Sequence, residues 1–145
     1  MNGNTFLDTN LFIYMQSASD PIKKELSYDA LENFNCVVST QILNEFCNVA
    51  LKKLNMKPEQ IIQVLLAIDN TCDLVVVTFE TVKKALGLRE RYGFHYYDAL
   101  VVASALEYGC IYLFSEDMSD GQVVDGCLEI VNIFARPELV WNPTL

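Results

Sequence analysis

Four acidic residues stand beside apolar runs of the chain, and their types and spacing could support chemistry. Asp8 follows the first apolar run, and Glu45 lies one turn into the helix predicted after the second. Asp98 begins an apolar helix, and Asp117 follows the strand to which that helix leads. Strand-to-helix junctions of a parallel sheet gather along one edge, where α/β proteins place their ligands. Carboxylates gathered there repel one another unless a hard cation such as Mg²⁺ or Mn²⁺ binds between them. The set indicates metal-dependent phosphodiester chemistry.

Each acid also has a simpler interpretation. Asp8 could be no more than a helix cap, and Glu45 could be a solvated residue on a polar helix face. Asp98 could be a first-turn acid favoured by the helix dipole, and Asp117 could belong to a polar turn. The joint placement of all four at one edge of the sheet favours the catalytic interpretation over these local ones.

The sequence lacks the residues that a zinc site or a phosphate-binding loop would need. His95 is the only histidine, and the five cysteines are widely spaced without a Cys-x-x-Cys pair, so a zinc site has few ligands available. A Gly-x-x-x-x-Gly-Lys loop is also missing from the sequence. The cysteines are typical of reduced core thiols, which predicts a cytoplasmic protein.

The elements that must position the acids alternate between strands and helices. This alternation predicts an α/β fold with a parallel sheet covered by helices on both faces. The predicted strands are Thr5–Leu7, Val37–Thr40, Leu74–Val77, Cys110–Phe114 and Leu128–Val131. The predicted helices include Gln41–Leu54, Pro58–Ile68, Phe79–Arg91 and Tyr96–Tyr108, with a short helical segment at Leu11–Tyr14 and another helix from Pro21.

The composition is that of a compact protein. A length of 145 residues, 52% hydrophobic and 20% charged, predicts a single domain over residues 1–145. No apolar run is long enough to span a bilayer, and Met1–Asn4 does not resemble a secretory signal. The net charge of −9 weighs against coating nucleic acid through the overall field, but a local site is compatible with it.

The ordered motifs resemble those of the PIN-domain nucleases. The matching segments are Phe6-Leu7-Asp8-Thr9-Asn10, Asn44-Glu45, Tyr97-Asp98-Ala99 and Ser115-Glu116-Asp117. Their order and spacing match over nearly the whole chain, and the compact size is similar to that of the VapC-like toxins.

The resemblance implies a three-layer α/β/α sandwich around a short parallel sheet. It further implies that Asp8, Glu45, Asp98 and Asp117 hold Mg²⁺ or Mn²⁺ and that metal-activated water cuts RNA. VapC-like toxins are typically homodimers inhibited by a small antitoxin protein, which inserts a basic side chain among the carboxylates. A partner of that kind would suit an acidic protein.

Three details depart from the family pattern or stay open. Ser115 stands where many relatives have Thr, which keeps the hydroxyl. Asp117 fits the fourth acidic position best, Asp120 is the reserve, and Glu116 is the poorest candidate. Residues 135–145 extend past the usual end of the family as a C-terminal extension without an assigned role.

Two alternatives to a ribonuclease remain. An aspartyl-phosphate phosphatase on a similar sheet would need a second Asp two residues after Asp8, where this chain has Asn10. A non-catalytic PIN-like binding module would show weak or no binding of divalent metal.

Overall fold

The computed structural model describes residues 3–141. It contains six strands in chain order: β1 (Asn4–Leu7), β2 (Asn35–Ser39), β3 (Asp73–Val75), β4 (Cys110–Phe114), β5 (Val123–Val124) and β6 (Leu128–Val131). Seven helices surround them: α1 (Thr9–Gln16), α2 (Pro21–Asn33), α3 (Thr40–Lys52), α4 (Pro58–Thr71), α5 (Phe79–Tyr92), α6 (Tyr96–Glu107) and α7 (Glu138–Trp141).

The strands form one sheet in the order β3-β2-β1-β4-β6-β5. All neighbouring pairs are parallel except β5 with β6, which is antiparallel. The crossovers from β1 to β2, from β2 to β3 and from β3 to β4 run through helices, whereas the chain passes from β4 to β6 through β5. A mostly parallel sheet flanked by helices confirms the predicted fold class.

The core follows from the apolar runs. The large side chains of Phe6, Phe46 and Phe114 are fully buried, and they come from β1, α3 and β4 respectively. Helix α6 is buried along its whole middle, from Ala99 to Ala105, as its apolar composition predicts. It ends before Gly109, whose φ of +69° is the left-handed conformation that glycine adopts readily after a helix.

The helix starts place backbone N–H groups beside polar side chains. Asp8 caps α1, Asp20 caps α2, and Ser39 caps α3 by accepting a hydrogen bond from the backbone of Ile42. Asp8 follows β1, Asp20 ends a loop, and Ser39 is the last residue of β2. At each of these caps the chain turns sharply into the next helix. The same turns bring Asp8 and the start of α3 to the carboxyl edge of the sheet.

Three elements differ from those predicted. Strand β3 ends at Val75 rather than Val77, and the backbone N–H of Val77 instead donates to the hydroxyl of Thr40. The two-residue strand β5 is too short to produce a pattern in the sequence. The short helical segment predicted around Leu11–Tyr14 is present as the two-turn helix α1, which Asp8 caps.

The third difference is α7, which lies in the C-terminal extension and packs against α2. Val140 is fully buried, and its carbonyl accepts a hydrogen bond from the side chain of Asn33 at 3.2 Å. The indole N–H of Trp141 donates to Asp29 at 3.2 Å. Helix α7 therefore covers one side of α2, and residues 142–145 of the predicted extension lie outside the described residues.

Within residues 3–141, no helix has the length and apolar character needed to cross a membrane. All five cysteines are free thiols, and three of them, Cys36, Cys72 and Cys110, are buried. Cys47 is half-buried and Cys127 is exposed, so three of the five cysteines lie in the core, where they were predicted.

Candidate active site

An acidic cleft of about 220 Å³ opens at the carboxyl edge of the sheet. Among its lining residues are all four acids singled out by the sequence: Asp8, Glu45, Asp98 and Asp117. Thr9, Asn10, Ile13, Val49, Tyr97 and Val101 complete the lining. Among these described lining residues there is no lysine or arginine, so the cleft is strongly negative.

Asp8 sits at the centre of the sheet edge because β1 lies between β2 and β4. Its backbone N–H continues the strand pairing by donating to the carbonyl of Phe114 at 3.0 Å. One carboxylate oxygen accepts from the Thr9 N–H at 2.8 Å, and the other accepts from the Ser115 hydroxyl at 2.8 Å. These two bonds hold the carboxylate in one orientation.

Burial dominates the electrostatics of Asp8. It raises the pKa of the carboxyl from 3.8 to about 6, and the hydrogen bonds from Ser115 and Thr9 only partly oppose that rise. The negative charges of Glu45 and Asp98 raise the pKa further. The three acids therefore interact electrostatically, and the ionised form of Asp8 lacks a compensating positive charge.

Glu45 reaches the cleft from the first turns of α3, after the cap at Ser39. The hydroxyl of Thr9 donates to Glu45 Oε1 at 2.9 Å, across 36 residues of sequence. The residue next to Asp8 thus fixes the second acid of the cleft.

Asp98 lies in the first turn of α6. Burial raises the pKa of this carboxyl, the nearby His95 lowers it, and the charge of Asp117 raises it. The pKa shift shows that Asp98 and Asp117 are close enough for their charges to interact. Among the described residues, His95 is the one positively chargeable side chain that lowers the pKa of Asp98.

Asp117 follows β4 on the segment that leads to β5. The side-chain amide of Asn10 donates to Asp117 Oδ2 at 2.8 Å. Asn10 is one of the secondary residues suggested by the sequence, and Ser115, bound to Asp8, is another. Both lie beside the acids as hydrogen-bond donors.

Asp120, the reserve for the fourth acidic position, does not line the acidic cleft. It accepts from the backbone N–H of Asn132 at 2.9 Å and from the guanidinium of Arg136 at 2.9 and 3.1 Å. Those interactions lower the pKa of Asp120, the backbone bond having the larger effect. Arg136 also pairs with Glu129 at 3.0 Å, so Asp120 belongs to a structural ion-pair cluster.

Glu116 also points away from the acidic cleft. It forms an ion pair with Lys23 and accepts a hydrogen bond from the hydroxyl of Tyr14. The Lys23 ammonium lies over the rings of Tyr14 and Phe134, 4.9 and 5.4 Å from their centres. This cluster anchors the segment that carries Asp117 to α1 and α2.

Two further cavities adjoin the acidic cleft, one on each side. The larger, which we call the amide pocket, has a volume of about 430 Å³ and shares Glu45 and Tyr97 with the cleft. Its polar lining includes the side chains of Gln41, Asn44 and Asn48. The smaller cavity, of about 210 Å³, shares Asp98 and Asp117 with the cleft and is lined by Tyr92, Phe94 and His95 among others.

Sequence reasoning missed Thr9, Gln41 and Tyr97. Thr9 had a weak signal, because a hydroxyl residue immediately after a capping Asp can reach neighbouring groups. Gln41 and Asn48 lie on the polar stripe of α3 that contains Glu45. That stripe was visible in the sequence, but nothing in it indicated a cavity.

The donor chemistry of the cleft fits Mg²⁺ or Mn²⁺. Carboxylate oxygens are the ligands that these hard cations prefer, and a cation would offset the burial and, to a smaller extent, the mutual repulsion that raise the pKa of Asp8. Within residues 3–141, no three His, Cys, Asp or Glu side chains are already arranged as a complete metal site. Side-chain rotation would have to accompany metal binding.

Solved structures with a similar fold come from toxin–antitoxin systems. A toxin–antitoxin complex from Klebsiella pneumoniae has a TM-score of 0.67 and 20% identity, and the match covers 88% of this chain and 96% of that one. VapC20 from Mycobacterium tuberculosis, described as a toxin that cleaves the sarcin–ricin loop, has a TM-score of 0.63 and 15% identity, covering 78% and 91%. VapBC2 from Rickettsia felis, solved with a promoter DNA fragment, has a TM-score of 0.62 and 18% identity, covering 89% and 99%.

These identities are low, so the structural matches establish the fold only. By sequence, no curated protein matches the chain. The family model of the PIN domain matches residues 5–119, a segment that contains Asp8, Glu45, Asp98 and Asp117. Because that match covers well over half of its length, the chain belongs to the PIN domain family.

Proposed function

We propose that this protein is an endoribonuclease that depends on Mg²⁺ or Mn²⁺ and serves as the toxin of a toxin–antitoxin pair. The observation that carries the proposal is the convergence of Asp8, Glu45, Asp98 and Asp117 in one cleft at the carboxyl edge of a parallel sheet. Four carboxylates that share a small cleft without a basic residue are suited to binding a divalent cation and poorly suited to binding RNA directly.

Asp8, Asp98, Asp117 and Glu45 would hold the metal. When bound, a divalent cation polarises a phosphoryl oxygen and makes a bound water acidic enough to supply hydroxide near neutral pH. Asp8 is oriented for this role by Ser115 and by the Thr9 N–H, and Asp117 is oriented by Asn10. These donors orient the carboxylates that would bind the metal.

Glu45 would also accept the water proton. Thr9 holds its Oε1, and Oε2 makes no hydrogen bond to any other residue that the structure describes. A carboxylate with one oxygen fixed and the other free can accept a proton without losing its orientation. Thr9 would then be a positioning residue for the proton acceptor.

The charge of the protein supports a basic partner. With a net charge of −9 and no lysine or arginine among the described residues of the cleft, this chain supplies little positive charge for a polyanion. An antitoxin that inserts a basic side chain among the acids would neutralise the cleft and occlude the metal. The fold shared with the Klebsiella toxin–antitoxin complex supports such a partner, and we extend the proposal to a cytoplasmic homodimer.

The alternative functions receive less support. A phosphatase would need an acid two residues after Asp8, and Asn10 instead donates its amide to Asp117. A non-catalytic binding module would have no use for four clustered acids, three of which are held in place by Thr9, Asn10 and Ser115. Calorimetry with Mn²⁺ distinguishes the module from both enzymes.

The experiment that tests the proposal is RNA cleavage by metal-stripped protein with and without added Mn²⁺. Wild type is compared with Asp8→Asn and Asp98→Asn, and with Asp69→Asn, which changes an exposed acid on α4 far from the cleft in sequence. We expect Mn²⁺-dependent cleavage in wild type and Asp69→Asn. The two cleft variants should lose about 100-fold or more, equivalent to about 3 kcal/mol of barrier. Cleavage that survives in both cleft variants would overturn the proposal.

A further inference from the structure

The amide pocket carries side chains that the proposed metal chemistry does not use. Asn44 and Asn48 are exposed one helical turn apart on α3, at i and i+4, so they lie on the same face. Neither side-chain amide makes a hydrogen bond to another described residue. Two free amides on one wall of a 430 Å³ cavity present donors and acceptors to whatever enters it.

Gln41 forms a further part of the same wall, and it is only 8% exposed. Its side-chain N–H donates to the carbonyl of Tyr97 at 3.0 Å, but its Oε1 is buried and has no partner among the described residues. A buried acceptor without a donor is destabilising. Because this oxygen lies beneath the surface, a ligand would reach it only after the Gln41 side chain rotates toward the cavity.

Tyr97 gives the pocket an aromatic surface. It is 65% exposed and stands at the boundary between the amide pocket and the acidic cleft. Its ring contacts Tyr96 edge-on, with 5.3 Å between centres, so one aromatic neighbour restricts its position. An exposed aromatic face accepts a planar base by stacking, whatever the identity of that base.

The chemistry of the pocket selects a base rather than a phosphate. Of the described residues that line it, Glu45 is the only charged one, so an anionic group would be repelled. Side-chain amides instead match the mixed donors and acceptors on the edge of an unpaired nucleobase. The distance to the acids is also short, since Glu45 and Tyr97 line both cavities.

We propose that the amide pocket binds one unpaired nucleobase next to the scissile phosphate and sets the sequence preference of cleavage. Tyr97 stacks on the base, and Asn44 and Asn48, with Gln41 behind them, read its edge. The proposal rests on the proposed nuclease function, because it takes the acidic cleft as the position of the phosphate.

The first test measures sequence preference. An RNA pool with random positions is cleaved in Mn²⁺, and the base frequencies on both sides of the cut are read by sequencing. The proteins compared are wild type, the double variant Asn44→Ala with Asn48→Ala, and Asn70→Ala, which removes an exposed amide from α4. We expect wild type and Asn70→Ala to prefer one base at one position beside the cut by about 10-fold or more, and the double variant to lose most of that preference.

The second test detects the base without cleavage. Isotope-labelled, metal-free protein is titrated with adenosine, cytidine, guanosine and uridine, which carry no phosphate. The side-chain amide signals of Asn44 and Asn48 are identified by their loss in the two single alanine variants. We expect one nucleoside to shift both signals more than the other three, and Tyr97→Ala to weaken that shift.

The outcomes separate the two proposals. Cleavage without a base preference, or with a preference that the double variant keeps, overturns the role of the amide pocket and leaves the nuclease proposal intact. If wild type does not cleave RNA, the nuclease proposal fails, and the titration decides whether the pocket binds a base. Nucleosides that fail to shift either amide signal overturn the amide pocket in both cases.

Discussion

The hydroxyl of Thr9 donates to Glu45 Oε1 at 2.9 Å, and this bond joins two acids of the cleft through one side chain. Thr9 follows Asp8 directly, and its backbone N–H binds Asp8 while its side chain binds Glu45. Asn10, the next residue, binds Asp117. Three consecutive residues at the start of α1 therefore set the positions of three of the four carboxylates.

This arrangement predicts a specific effect of Thr9→Val. Valine keeps the branched shape of the buried threonine and its backbone N–H bond to Asp8, but it cannot donate to Glu45. We expect Mn²⁺-dependent cleavage to fall by about 10- to 100-fold, as for donors that orient metal ligands, while the melting temperature changes little. Thr9→Ser, which restores the hydroxyl, should recover most of the activity. Equal activity of Thr9→Val and wild type would contradict the positioning role.

The raised pKa of Asp8 predicts how the stability of the metal-free protein depends on pH. The carboxyl titrates near 3.8 when unfolded and at about 6 when folded, so the folded state holds the proton more tightly. Its contribution to stability is complete below pH 4 and is lost as the pH rises through 6. Asn at this position does not ionise, so Asp8→Asn avoids this loss of stability at higher pH.

We therefore expect Asp8→Asn in EDTA to be more stable than wild type at pH 7.5, by up to about 3 kcal/mol. The difference should shrink steadily as the pH falls from 6 to 4. Urea denaturation at several pH values measures both free energies of unfolding, with Asp69→Asn as the control for removal of one negative charge. A difference that does not depend on pH would contradict the raised pKa.

Metal binding should close most of the gap between those two stabilities. A ligand present at about 100 times its dissociation constant stabilises the folded state by about 2.7 kcal/mol. For a chain of this length we expect Mn²⁺ to raise the melting temperature of wild type by about 9 °C. Asp8→Asn and Asp98→Asn should show little or no shift, and calorimetric titration with Mn²⁺ should agree. Equal shifts in wild type and both variants would place the metal elsewhere.

Replacement by Asn should affect cleavage at Asp117 and stability at Asp120. Asp117 lines the cleft, so Asp117→Asn should lower Mn²⁺-dependent cleavage by about 10-fold or more. Asp120 pairs with Arg136, so Asp120→Asn should keep cleavage and lose about 1 kcal/mol of stability. Cleavage rates and urea denaturation of both variants provide the comparison. Loss of cleavage in Asp120→Asn with a normal melting temperature would reverse the two assignments.

The sequence alone determined the elements of the fold and the order of the acids along it. Alternating apolar runs and amphipathic helices are local patterns, and parallel strands necessarily bring their carboxyl ends to one edge. Asp8, Glu45, Asp98 and Asp117 could therefore be placed near one another without coordinates. The shorter elements β5 and α7 were missed because two or four residues are too few to show a period.

The tertiary structure decided which polar groups meet. Asp117 and Asp120 are three residues apart in one polar segment, and nothing local distinguishes them. The packing of β6 and the C-terminal extension brings Arg136 to Asp120, whereas α1 brings Asn10 to Asp117. The amide pocket has the same origin, because it forms between α3 and α6, which are distant in sequence. Such contacts depend on side-chain positions across elements, and a hydrophobic pattern does not encode them.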